Sequence, residues 1–166
     1  MKKNTYIFLF CFCSTNIFSQ IPELGISKNF ADTCTINFAK PDSGQFIRMY
    51  PIHFADTTEK NNIVLKQEFY DTLTLIMTTL PNCVFELSAH SDSKGPDPQN
   101  MNVTKKRAQN MMLYMHQKCG IKKKNIIAKG YGDSQLLNQC DDGVECTPAQ
   151  HAVNKRMELK IIGFIE

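Results

Sequence analysis

The chain has 166 residues, with 19 Lys and Arg against 16 Asp and Glu, and a formal net charge of +3. That length suits one ordinary domain with a short extension, and so small a net charge argues against a nucleic-acid partner. Past the first twenty residues no apolar run is long enough for a membrane-spanning helix, and the repeated alternating segments of about ten residues that an outer-membrane barrel needs do not occur.

The chain opens with a basic head, Met1-Lys2-Lys3-Asn4-Thr5, followed by the apolar run Tyr6 to Cys13 and a polar Ser14-Thr15-Asn16. This order is that of a secretory signal peptide, with cleavage expected after Ser19. A lipoprotein signal is the rival reading, but Cys11 and Cys13 each follow Phe, where a lipobox wants a small residue. Removing residues 1–19 leaves 147 residues and takes away Lys2 and Lys3, lowering the net charge from +3 to +1. The expected product is an exported, soluble, nearly neutral protein.

Residues 20–44 are weakly patterned, punctuated by Pro22, Gly25, Pro41 and Gly44, and read as an N-terminal extension before a domain over residues 45–166. Phe46, Met49, Ile52 and Phe54 outline a first strand, which Pro51 marks as an edge or a bulge. Leu65, Phe69, Leu73, Ile76 and Leu80 recur at three- and four-residue spacing, which predicts a helix ended by Pro81. Val84 to His90 alternates as a strand. A second helix runs from about Gln99 to Lys118, with Ala108, Met111, Met112, Met115 and Cys119 along its buried side and Gly120 at its end. Asn125 to Lys129 gives a short strand that leaves through Gly130-Tyr131-Gly132-Asp133, and after a long polar loop Arg156 to Phe164 gives the last. The order strand-helix-strand-helix-strand-strand implies an α+β, two-layer domain with the helices on one face of a mixed sheet.

Export places Cys34, Cys83, Cys119, Cys140 and Cys146 in an oxidising compartment, where disulfides persist. Cys140 and Cys146 bracket a polar loop in which Gly143 permits a tight reversal, and they are expected to pair. Three cysteines then remain, so at least one is free or pairs between chains. No CxxC pair occurs and the histidines are scattered, so no metal is expected. His90, Asp92, His116 and His151 lack ligand or acid–base spacing, and no Ser or Cys stands in a nucleophile signature, so neither catalysis nor a cofactor is expected.

Four short motifs remain: Ala89-His90-Ser91-Asp92 with Gly95; Asn100-Met101-Asn102-Val103-Thr104-Lys105-Lys106-Arg107-Ala108; Gly130-Tyr131-Gly132-Asp133; and Asn154-Lys155-Arg156-Met157-Glu158. In this order they resemble the OmpA-like domain, whose pattern is Gly-His-Thr-Asp, then Gly, then Asn-x-x-Leu-Ser-x-x-Arg-Ala, Gly-Tyr-Gly-Glu and Asn-Arg-Arg-Val-Glu. The resemblance covers about residues 45–165. The departures are Ala89 for Gly, Val103-Thr104 for Leu-Ser, Lys155 for Arg and Met157 for Val.

The resemblance implies a bacterial envelope module, in the periplasm beside the outer membrane or cell wall, that binds peptidoglycan without covalent chemistry. Its ligand would be the diaminopimelate of the stem peptide, with Asp92 taking the ammonium and Arg107 the carboxylate. A planar arginine fork suits a carboxylate, and hydrogen bonds to charged groups are the strong ones. Ser91 and Thr104 would supply donors nearby. Asn100 stands either as a ligand contact or as the cap of the second helix. Arg156 either supports the ligand carboxylate or Asp92, or pairs with Asp133 or Glu158. His90 is expected to be a hydrogen-bonded structural histidine, and Tyr131 either flanks the cleft or packs. The alternative keeps the fold but not the ligand: an adaptor that binds an envelope or outer-membrane protein.

Overall fold

The structure, a computed structural model, describes residues 31–49 and 67–166. The signal peptide, residues 20–30 of the extension, Ile52, Phe54 and Leu65 lie outside the described residues. Five strands form one mixed sheet: β1 (Ala31–Cys34), β2 (Phe46–Met49), β3 (Cys83–His90), β4 (Ile126–Gly132) and β5 (Met157–Phe164). Their spatial order is β1-β2-β5-β3-β4. β3 and β4 run parallel, and the other neighbours run antiparallel. Among the described residues the α-helices are α1 (Gln67–Thr79), α2 (Asp97–Gln117) and α3 (Pro148–Asn154).

The apolar periodicities become one core. Phe85, Leu87 and Ala89 of β3, Leu159 and Ile161 of β5 and Ile47 of β2 are buried with Leu73 and Ile76 of α1 and Ala108, Met111 and Met115 of α2. Tyr70 and Tyr114 stack at 3.8 Å between ring centroids and join the two long helices. Along β3, Phe85, Leu87 and Ala89 enter this core, while Glu86, Ser88 and His90 alternate to the opposite face. There Glu158 accepts hydrogen bonds from Arg48 Nε at 3.0 Å and Arg156 Nε at 2.8 Å, and Tyr131 Oη donates to Glu86 at 2.8 Å.

Four differences from the sequence reading bear on the site. Ala31–Cys34 adds a strand to the sheet from within the segment read as an extension. β2 therefore lies between β1 and β5 rather than at an edge, and the Pro51 that suggested the edge is outside the described residues. The polar loop before the last strand contains α3, which starts with a capping box: Thr147 Oγ1 accepts from Gln150 N–H while the Gln150 side chain accepts from Thr147 N–H. Finally, β4 continues to Gly132, through the two glycines taken to end it. α2 lies so close across β4 that a Cβ at Gly130 would fall inside the Lys105 backbone, and one at Gly132 would stand 3.1 Å from Met101 N. The glycines let helix and strand meet.

Candidate functional site

The β3–α2–β4 unit places its loops at the carboxyl ends of two parallel strands, where open sheets commonly bind ligands. The chain leaves β3 through Ser91, Asp92 and Ser93, all at most 6% exposed. Their backbone is held on both sides: His90 N–H donates to Arg156 O at 2.9 Å and Ser91 N–H to Gly132 O at 2.8 Å. Ser93 Oγ donates to Cys140 O at 2.6 Å and ties this corner to the disulfide loop. The expected Cys140–Cys146 bridge is present, with Cα atoms 5.8 Å apart. Among the described residues Cys83 and Cys119 have no disulfide partner.

α2 enters the site with polar residues on its buried stripe. Asn100 Nδ2 lies 2.6 Å from Asp133 Oδ2, 3.2 Å from Asp92 O and 3.3 Å from Gly95 O. One amide thus gathers the loops after β3 and β4. Its capping alternative is corrected: the helix begins at Asp97 with Pro96 at the cap, so Asn100 sits inside the first turn. One turn on, Thr104 Oγ1 donates to Asn100 O at 2.9 Å and accepts from Gly132 N–H at 2.9 Å. Arg107 follows a further turn along, half-buried.

Asp92 is 3% exposed. Its Oδ2 stands 3.1 Å from Lys155 Nζ and 3.8 Å from His151 Nδ1, neither in hydrogen-bonding geometry. The Ser91 hydroxyl and His151 Nδ1 are also buried without a hydrogen bond among the described residues. Two buried polar atoms without a hydrogen bond among the described residues thus flank a carboxylate that is ion-paired to Lys155. His151 stands 59 residues from Asp92 in the sequence, yet α3 carries it there.

The Asn154-Lys155-Arg156 motif resolves into three separate tasks. Fully buried Asn154 fixes the loop after β4: its Oδ1 accepts from Leu137 N–H and its Nδ2 donates to Asn138 Oδ1, both at 2.8 Å. Lys155 reaches Asp92. Arg156, 3% exposed, takes the Glu158 alternative and also donates through Nη1 to Gln135 O at 3.0 Å. Burial works to raise the Glu158 pKa, but the hydrogen bonds from Arg156 and Arg48 outweigh it and hold the carboxyl below its ordinary value.

His90 departs from its expected role. It is 1% exposed, and neither ring nitrogen has a hydrogen-bond partner among the described residues. The ring instead stacks on Tyr131, centroids 5.1 Å apart and planes within 5°. Burial, reinforced by the Arg156 guanidinium, pushes its pKa down to about 4.

Nearby, a cleft of about 390 Å³ runs between the start of α2 and the disulfide loop, lined by residues that include Asp97, Asp133, Asp141 and Asp142. Among the described residues no cluster of His, Cys, Asp and Glu is arranged to hold a metal ion, and no helix is long and apolar enough to cross a membrane.

A two-layer α+β domain with a polar corner at the end of β3 is the class that fold and site define. The sequence profile of the OmpA family matches residues 58–146, more than half of the chain, and the protein belongs to that family. Outer membrane porin F of Pseudomonas fluorescens is 32% identical over 85 residues, which are 51% of this chain and 24% of the porin. The chain thus matches only about a quarter of that relative's length. Among solved structures, a MotB-like protein of Desulfovibrio vulgaris superposes with a TM-score of 0.62 at 17% identity, covering 89% of this chain and 88% of that one. The cell wall anchor of the type VI secretion system (T6SS) of Pseudomonas aeruginosa gives 0.54 at 19% identity, covering 74% and 82%. At such identities these structures establish the fold.

Proposed function

We propose that this protein is exported to the periplasm and binds peptidoglycan there without catalysing a reaction, holding the diaminopimelate of the stem peptide. Asp92 receives the ligand ammonium and Arg107 its carboxylate. Ser91 offers its unpaired hydroxyl, Asn100 and Thr104 fix the loops around the pocket, and Arg156 supports it from below through Glu158. The observation that carries this reading is the buried Asp92 carboxylate, with the Ser91 hydroxyl and His151 Nδ1 beside it lacking a hydrogen bond among the described residues, at the motif position where the family resemblance puts the ammonium contact. Membership of the OmpA family and the likeness to a cell wall anchor support the same ligand class.

Each hydrogen bond to a charged group contributes about 1.5–3 kcal/mol, so one stem peptide is held weakly. A wall presenting many copies converts weak contacts into retention through effective concentration. Co-sedimentation of purified protein with peptidoglycan sacculi tests the reading. Wild type should pellet, and Asp92→Ala and Arg107→Ala should each lower retention about tenfold or more while remaining folded. Wild-type protein that ignores sacculi but co-purifies with an envelope protein would establish the adaptor instead.

A further inference from the structure

Asp92 meets solvent under a lysine. Its side chain is 4% exposed, whereas that of Lys155, with Nζ 3.1 Å from Oδ2, is 44% exposed. The other neighbour, His151, has a side chain only 9% exposed and stands 3.8 Å away. One contact is therefore a built wall and the other a movable cover. The difference comes from the chain. His151 lies within α3, whose end is pinned by the Asn154 hydrogen bonds to Leu137 and Asn138. Lys155 follows that anchor with a flexible four-carbon stem that can swing into water at small cost.

A buried carboxylate is costly without a counter-charge, and Lys155 supplies one. Its head is a primary ammonium, the same chemical group that the proposed ligand brings to Asp92. We propose that Lys155 is a displaceable counter-ion: in the free protein its ammonium occupies the seat that the ligand's ammonium takes, with His151 as the fixed wall of that seat. This rests on the peptidoglycan reading above. Binding is then an exchange of one ammonium for another at Asp92, and a ligand that lacks a free ammonium cannot displace the lysine. Lys155 thus sets both a ceiling on affinity and a filter on ligand chemistry.

The test is calorimetric titration of wild type, Lys155→Met and Lys155→Gln with an N-acetyl-Ala–Glu–diaminopimelate tripeptide, and with the same peptide also acetylated on its side-chain ammonium. A partly exposed ion pair changes an equilibrium constant by up to about fivefold. Both variants should therefore bind the free-amine peptide about two- to fivefold more tightly than wild type, with no gain for the doubly acetylated one. Equal or weaker binding by the variants overturns the proposal and makes Lys155 a bystander or a direct ligand contact. A gain for both peptides also overturns it, because the lysine would then act through net charge rather than through the seat. Absence of binding by wild type and variants alike overturns the peptidoglycan reading itself, whereas wild-type binding without a gain overturns this proposal alone.

Discussion

The two halves of α2 are equally buried and do opposite things. Toward its carboxyl end Ala108, Met111 and Met115 are at most 1% exposed and pack into the apolar core. Toward its amino end Asn100 and Thr104 continue the same stripe at 8% and 0% exposure, but the Asn100 amide nitrogen and the Thr104 hydroxyl are spent on backbone groups and a carboxylate. Helical spacing carries both halves inward alike, because residues three and four apart share a face. What they meet separates them: the apolar core over the sheet in one half, the loops leaving β3 and β4 in the other. The site is the core stripe carried on in hydrogen-bonding residues, so the motif that binds is also a piece of the fold.

The sharpest way to break that comparison is to remove volume from the apolar half. Met111→Ala leaves a cavity between helix and sheet and should cost about 2–5 kcal/mol in urea unfolding. Sacculus binding per folded molecule should stay at the wild-type level. If Met111→Ala weakens binding below the unfolding transition, the two halves are coupled and the division fails.

A second prediction probes the polar face beyond the sheet through pH. His90 has a pKa near 4 when folded against an ordinary value of 6.5, so the unfolded chain takes up the proton first. Its contribution is fully present above about pH 6.5 and is lost as pH falls toward 4, a loss of about 3 kcal/mol. Glu158 acts in the same direction, since a carboxyl held below its ordinary value loses its stabilising charge as acid protonates it. His90→Phe keeps a ring against Tyr131 and removes the titration. Urea midpoints of this variant should therefore stay nearly level from pH 7 to 5, while those of wild type fall. An equal fall in both would assign the acid sensitivity elsewhere.

The apolar half was the easier one to read. Leu73, Ile76, Ala108, Met111 and Met115 follow the helical period, and Phe85, Leu87 and Ala89 the strand period, so both layers follow from spacing alone. Asp92, Asn100 and Arg107 were legible only as motif positions, since nothing in their local pattern tells a binding residue from a buried one. His151 and Lys155 were not legible, because a seven-residue helix far along the chain brings them to Asp92. One local signal existed: Thr147-Pro148-Ala149-Gln150 is a helix-start pattern, and its polar surroundings led it to be read as loop. β1 was missed for a related reason: Ala-Asp-Thr-Cys has no apolar alternation, and its pairing with β2 is a matter of backbone.

The smallest expected effect tests the polar half at its quietest member. Thr104 exposes nothing to solvent, and its hydroxyl joins three backbone groups: it donates toward Asn100 O and Met101 O and accepts from Gly132 N–H. Thr104→Val keeps the shape and the β-branch but leaves the Gly132 N–H buried without a partner. That orphaned donor should cost about 1–3 kcal/mol, less than the cavity at Met111 because no volume is lost. Gly132 also accepts from Ser91 N–H through its carbonyl, so loosening its peptide shifts the corner that presents Asp92. The variant should therefore bind sacculi more weakly than wild type under conditions where both are fully folded, which Met111→Ala should not. Unfolding curves and co-sedimentation of the two variants side by side separate the halves: stability without binding at Met111, both together at Thr104.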